Sequence, residues 1–103
     1  MNQPNCCLTL IFPKALEENM VDLLLEHAAL ASGFTTVEVD GHGRNIAYQS
    51  ITEKVRGRAH RMEMQVILNQ DDAQILLRDI KQALPNTDID YWISPVIEFG
   101  SLT

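Results

Sequence analysis

The sequence predicts a small α+β domain made of two β-α-β halves, and three observations carry that expectation. Short β-branched runs with a period of two are interleaved with longer runs whose apolar residues recur every three or four positions. Pro, Gly and Asn punctuate the boundaries between them. At 103 residues the chain has the length of one domain, residues 1–103, with room for a single core.

The first element is "CCLTLIF", Cys6 to Phe12, a short apolar run closed by Pro13 that reads as a central strand. A helix is expected over "KALEENMVDLLLEHAALA", Lys14 to Ala31. It places Leu16, Met20, Leu23 or Leu24, and His27 on one stripe, puts Glu17 and Glu18 in the first turn, and stops at Ser32-Gly33. His27 then reads as a satisfied core or interface residue. "FTTVEVD", Phe34 to Asp40, alternates Thr35, Val37 and Val39 against Thr36, Glu38 and Asp40, the pattern of a half-buried strand. "HRMEMQVIL", His60 to Leu68, sets Met62, Met64, Val66 and Leu68 against Arg61, Glu63 and Gln65. Asn69 and Asp71 both offer N-caps for a second helix, whose stripe is Ala73, Leu76, Leu77, Ile80 and Leu84 and whose end is Pro85-Asn86. A last strand, "IDYWISPVIEF", contains Pro95, which suits an edge position or a bulge. Tyr91 and Trp92 in it read most simply as packing residues with polar handles.

The resulting order, β-α-β-β-α-β, is that of the ferredoxin-like fold, with both helices on one face of a four-stranded antiparallel sheet. The opposite face would carry Thr9, Ile11 and Ile67. It is too apolar to suit water, so it is expected to pack against other subunits.

Composition narrows the function. No apolar run reaches the ~18–20 residues that span a bilayer, and "MNQPNCC" lacks the order of a signal peptide, so a soluble cytoplasmic protein without membrane insertion is expected. Adjacent Cys6 and Cys7 point to opposite faces of a strand, which suits neither a disulfide nor a metal motif. The net charge of −6 is unevenly spread: from Gly41 to Met62 lie five of the eight Lys and Arg residues but a single carboxylate, Glu53. The rest of the chain is strongly acidic, which argues against nucleic acid as a partner. That basic window coincides with a connection of about nineteen residues, 41–59, where a hairpin normally needs two to five.

Candidate site residues concentrate there. Gly41 and Gly43 permit close main-chain approach to an anion and Arg44 suits bidentate recognition of it; the same stretch also reads as a plain strand exit with His42 in solvent. Lys54, Arg56, Arg58 and His60, spaced by two, form a cationic ladder if extended. Such a ladder would recruit an acidic ligand or partner surface, or keep a hairpin edge from aggregating. Ser50-Ile51-Thr52-Glu53 instead fits a helical capping box. His42 and His60, at the two feet of the connection, are placed to meet across the hairpin or a subunit boundary, and with Glu38 or Glu63 would suit a divalent transition metal. No Ser-His-Asp set, nucleophile elbow, C-x-x-C or anion loop after the first strand is present, so an enzyme is not expected.

With these residues in view, the chain resembles PII-like proteins. "SGFTTVEVDGHGR" is similar to the stretch leading into the long loop of PII signalling proteins, and "EKVRGRAHRMEMQVIL" to the loop's return. The whole chain, including "CCLTLIFP", "ENMVDLLLEH" and "YWISPV", resembles an uncharacterised PII-like family often encoded beside heavy-metal efflux pumps. The resemblance implies a ferredoxin-like homotrimer with effector clefts between subunits. It further implies a regulatory role in which the long loop engages a protein partner such as an efflux pump, in metal homeostasis. Gly41, Gly43 and Arg44 match the phosphate-binding Gly-x-Gly-Arg-Gln segment, but Asn45 stands in place of its glutamine. "LPNTDIDYW" replaces the Gly-Asp-Gly-Lys loop, and no basic segment precedes Thr103. These departures argue against an ATP-type nucleotide and leave another anion or a divalent transition metal as the effector. The alternative from another class is a metal carrier or buffer using His42 and His60, with Cys6 or Cys7.

Overall fold

The computed structural model describes residues 3–31, 33–42 and 59–103. Four strands, β1 (Cys6–Pro13), β2 (Phe34–Gly41), β3 (Ala59–Leu68) and β4 (Asp90–Pro95), form one sheet in the order β2-β3-β1-β4. Every neighbouring pair is antiparallel. Two helices, α1 (Glu17–Glu26) and α2 (Gln70–Ala83), connect β1 to β2 and β3 to β4. This is the ferredoxin-like α+β topology that the element order predicts. No helix among the described residues is long and apolar enough to cross a membrane.

Registration sorts the side chains into two faces. Cys6, Leu8, Leu10 and Phe12 of β1 lie opposite Leu68, Val66, Met64 and Met62 of β3. All eight are buried together with Met20 and Leu24 of α1 and Ala73, Leu76 and Ile80 of α2. The expected stripes of both helices are therefore the core-facing ones. Cys6 is a free thiol inside this core; burial, with a smaller contribution from Cys7, pushes its pKa up and leaves it a poor nucleophile.

The first helix departs from the expected Lys14–Ala31 span. Pro13 at φ −59°, ψ 141° leads into a 3-10 turn, Lys14–Leu16, before α1 proper. The helix stops at Glu26, because His27 leaves helical geometry and its N–H bonds the Leu24 carbonyl. The Leu30 and Ala31 N–H groups then both return to the His27 carbonyl, so the remaining residues wind as turns. By contrast, α2 begins where its sequence indicates. Asn69, not Asp71, is the cap: its side-chain oxygen accepts the Asp72 N–H at 2.9 Å, while its Nδ2 donates to the Asp72 carboxylate at 2.7 Å.

The last strand is shorter than its apolar pattern suggests, ending at Pro95 instead of Phe99. Pro95 does occupy an edge strand, as expected. Tyr91 and Trp92, expected to pack, are instead about half exposed, because β4 has no outer neighbour in the sheet. One further contact fixes the end of the sheet where β4 finishes. Asn5 donates its N–H to the Leu68 carbonyl, accepts the Val96 N–H, and accepts the Gln70 N–H on its side-chain oxygen, each at 3.0 Å.

The sheet face away from the helices carries Thr9 and Ile11 of β1, Ile67 of β3, Val37 and Val39 of β2, and Trp92 of β4. In β2 it is the polar residues Thr36, Glu38 and Asp40 that share the helix side, and the valines that face away. Thr9 is already buried within the single chain, whereas Val37 and Trp92 are half exposed.

Candidate functional site

At the end of the sheet where β2 exits, strand geometry gathers the chain's polar and charged groups. β2 runs one residue beyond the expected Asp40, so Gly41 is its last paired residue, opposite Ala59, and not the first residue of a loop. The next residue, His42, is exposed. Gly43, Arg44, Lys54, Arg56 and Arg58 lie outside the described residues.

On the open face, Arg61 stands opposite Val39 on one side and Pro13 on the other. Its side chain is only 2% exposed. Its guanidinium pairs with the Asp88 carboxylate through Nη2, and Nη1 donates to the Asp88 carbonyl at 3.4 Å. Nε is buried and finds no hydrogen-bond partner. Gly41 explains how so large a cation fits. A Cβ on residue 41 would come within 3.1 Å of both Cδ and Nε of Arg61, tighter than most Cβ contacts, so the arginine would have to give by a few tenths of an ångström. The glycine thus gives the Arg61 side chain clearance, a role independent of any ligand.

The segment that presents Asp88 is held by local bonds. The Leu84 N–H closes α2 on the Ile80 carbonyl, and Asn86 then takes a left-handed conformation at φ 59°, which asparagine tolerates. The Thr87 hydroxyl donates to the Leu84 carbonyl at 2.6 Å and the Ile89 N–H to the Thr87 carbonyl at 3.1 Å. Asp88, two residues before Asp90, consequently falls on the open face and reaches Arg61 across β1. Neither residue stood out in the sequence as a site residue. The distinguishing signal, an arginine on the open face of β3 level with an aspartate in the segment before the last strand, becomes visible only once the register is known.

On the helix side of the same end, Lys14, Glu17, Glu38 and His60 converge. Lys14 Nζ pairs with Glu38 and lies 3.3 Å from Glu17 Oε1. His60, opposite Asp40 in the register, brings Nε2 to 3.7 Å from Glu38 Oε2. Hydrogen bonding to Glu38 raises the Lys14 pKa, and Lys14 followed by His60 lowers that of Glu38. The expected closeness of His60 and Glu38 is present; Glu63 points to the opposite face. Among the described residues, no group of three His, Cys, Asp or Glu side chains is arranged to hold a metal ion.

His27 serves elsewhere, as a tie between the helices. Nδ1 lies 2.8 Å from the Leu23 carbonyl and Nε2 2.9 Å from Asp79 Oδ2. Since both partners are acceptors, both ring nitrogens are satisfied as donors only in the imidazolium. The Leu23 carbonyl and then Asp79 raise the His27 pKa, and His27 in turn lowers that of Asp79.

The four-stranded sheet with two helices on one face, and a charged cluster where β2 exits toward a long connection, defines the class: the chain has the PII-like fold. Among solved structures it is similar to a nitrogen regulatory PII-like protein from Thiomonas intermedia bound to ADP, AMP and bicarbonate, with 18% identity, TM-score 0.67 and 91% coverage of each chain. It is also similar to a putative PII-like signalling protein from Thermus thermophilus, with 16% identity, TM-score 0.63, and coverage of 90% of this chain and 87% of that one. Residues 2–103 match the DUF3240 model, described as a protein of unknown function, and the chain belongs to that family. A DUF3240 family protein from Shewanella baltica superimposes with TM-score 0.79 at 20% identity, over 99% of this chain and 100% of that chain. No curated protein matches the sequence.

Proposed function

We propose that this protein is a PII-like regulatory subunit, not an enzyme. In this reading it works in the cytoplasm as a homotrimer, binds a small effector in clefts between subunits, and engages a protein partner through the basic connection between β2 and β3, residues 42–58. The observation that carries the proposal is the reversed polarity of β2: Val37 and Val39 face away from the helices and Glu38 faces toward them. A strand with that pattern is expected to gain stability when the open sheet face is covered by other subunits.

The effector class follows from charge. The basic connection gathers Arg44, Lys54, Arg56 and Arg58 on an acidic chain, which favours an anion, and the Thiomonas protein of the same fold is bound to ADP, AMP and bicarbonate. Gly43 and Arg44 would contact the anion, with Gly41 at the foot of the site; Lys54, Arg56 and Arg58 would meet the partner's acidic surface. A role in metal homeostasis, with an efflux pump as the partner, rests on the family resemblance.

Thermal shift is the direct test. Adenine nucleotides, bicarbonate and divalent transition metals should be screened against the purified protein, since a ligand of the folded state raises its melting temperature by mass action. A shift with an anion that Arg44→Ala abolishes supports the proposal; no shift with any anion refutes the effector assignment. The second reading is a metal carrier using His42 and His60, supported by the approach of His60 to Glu38. Calorimetry showing metal binding that His42→Ala and His60→Ala each abolish would favour it.

A further inference from the structure

Beyond β4, residues 96–103 form an arm without regular secondary structure. Val96 is held by Asn5, and past it Ile97, Phe99 and Leu102 are 103%, 60% and 108% exposed, the first and last as fully as in an isolated peptide. Burying such large apolar side chains is a principal favourable contribution to association. Three of them in so short a segment amount to an unused apolar surface.

The same molecule carries a matching receptor. A cleft of about 580 Å³ lies between α2 and the start of β4, with Leu77, Ile80, Leu84, Ile89 and Tyr91 as its apolar lining and Arg78 and Lys81 beside them. β4 is an edge strand, so backbone groups along its outer side are open to an incoming segment. The arm cannot reach this cleft without reversing. β4 starts opposite Ile11, where the cleft lies, and ends opposite Cys6, where the Val96–Asn5 bond carries the chain onward in the other direction.

We propose that the arm of one copy docks in the α2–β4 cleft of a second copy of this chain. Ile97 and Phe99, two residues apart, enter the apolar cleft from one side of an extended segment. Glu98 between them, the arm's one charged side chain, points to the outer side of that segment, where the long side chains of Lys81 and of Arg78, whose Nε already contacts Asp79, reach it from the cleft rim. A second copy is the occupant favoured by this charge match and by the self-association proposed above, on which the inference rests. A foreign segment in the cleft is an alternative that the experiment distinguishes.

The experiment is sedimentation equilibrium of the full chain, its fold checked by circular dichroism. Ile97→Ser with Phe99→Ser and, separately, Tyr91→Ser should each weaken self-association at least tenfold. Glu98→Lys and Lys81→Glu should weaken it singly and restore most of it together. Arm residues lie outside the core, so their substitution leaves folding intact. Unchanged association in the arm variants overturns the inference while the oligomeric reading stands; weakening by the arm variants but not by Tyr91→Ser or Lys81→Glu shows that the arm docks elsewhere and also overturns it. A wild-type chain that stays monomeric overturns both.

Discussion

Arg61 and Asp88, 27 residues apart in sequence, form an ion pair across β1 that joins the start of β3 to the segment entering β4. The cation is almost wholly buried and the carboxylate about one third exposed, so the two members contribute unequally. Removing the anion strands a guanidinium that has no route to water. Removing the cation leaves an aspartate that rehydrates.

Asp88→Ala should accordingly destabilise the protein by about 1–3 kcal/mol, the range for losing a charged hydrogen-bond partner of a buried group. Arg61→Met, which keeps the packing volume, should cost less than Asp88→Ala. Denaturant unfolding of both variants checks the order, and equal losses would show that the pair acts symmetrically.

Gly41 is constrained by the same arginine. Gly41→Ala should cost about 1–3 kcal/mol through overpacking against Cδ and Nε of Arg61. In an Arg61→Ala background that cost should largely vanish, so a double-mutant cycle read by thermal unfolding reports a coupling between the two positions. An unchanged cost in that background would place the requirement for glycine elsewhere.

The tie between α1 and α2 should depend on pH. Because the folded state raises the His27 pKa above its ordinary value, the contribution of protonated His27 is complete below about pH 6.5 and is lost as pH rises through the folded pKa. Asp79, lowered by the same contact, contributes above about pH 3.9 and loses its contribution as pH falls through its own depressed pKa. Stability from this tie is therefore greatest between those two limits. NMR titration should find the His27 pKa above 6.5, and Asp79→Asn should lower it without returning it fully, since the Leu23 carbonyl still accepts from Nδ1.

Asn69→Ala should lower stability by about 1 kcal/mol, the usual value of an N-cap, and Asn69→Asp should keep the cap bond to the Asp72 N–H yet also lose stability, because it sets a second carboxylate against that of Asp72 where Nδ2 now donates. Asp71→Ala, at the other position whose sequence suggested a cap, should have little effect. Chemical denaturation of the three variants separates these expectations.

Much of the fold was legible because it depends on local periodicity. The alternation in "HRMEMQVIL" assigned Met62, Met64, Val66 and Leu68 to one face, and those four are buried against β1 and the helices. The stripe of α2 was equally plain, since Ala73, Leu76 and Ile80 need only a helix to bring them together. What escaped was set by distant partners. The end of α1 at His27 accompanies a contact with Asp79, 52 residues away. Apolar content alone extended β4 to Phe99, although pairing with β1 ends at Pro95 opposite Cys6. Within the candidate site, the excess of basic residues was readable as a count. That count could not show that Arg61 is already neutralised by Asp88, nor that Gly41 closes β2 and makes room for it. Gly43, Arg44, Lys54, Arg56 and Arg58 are outside the described residues, so their roles rest on sequence and resemblance.

The three bonds at Asn5 have a mechanical consequence. Because one residue grips Leu68, Gln70 and Val96 at once, tension on the segment after β4 is delivered to the first turn of α2 as well as to the sheet. The amide proton of Gln70 thereby becomes a strain gauge: its exchange with solvent should quicken whenever that distal segment is tugged from its anchorage.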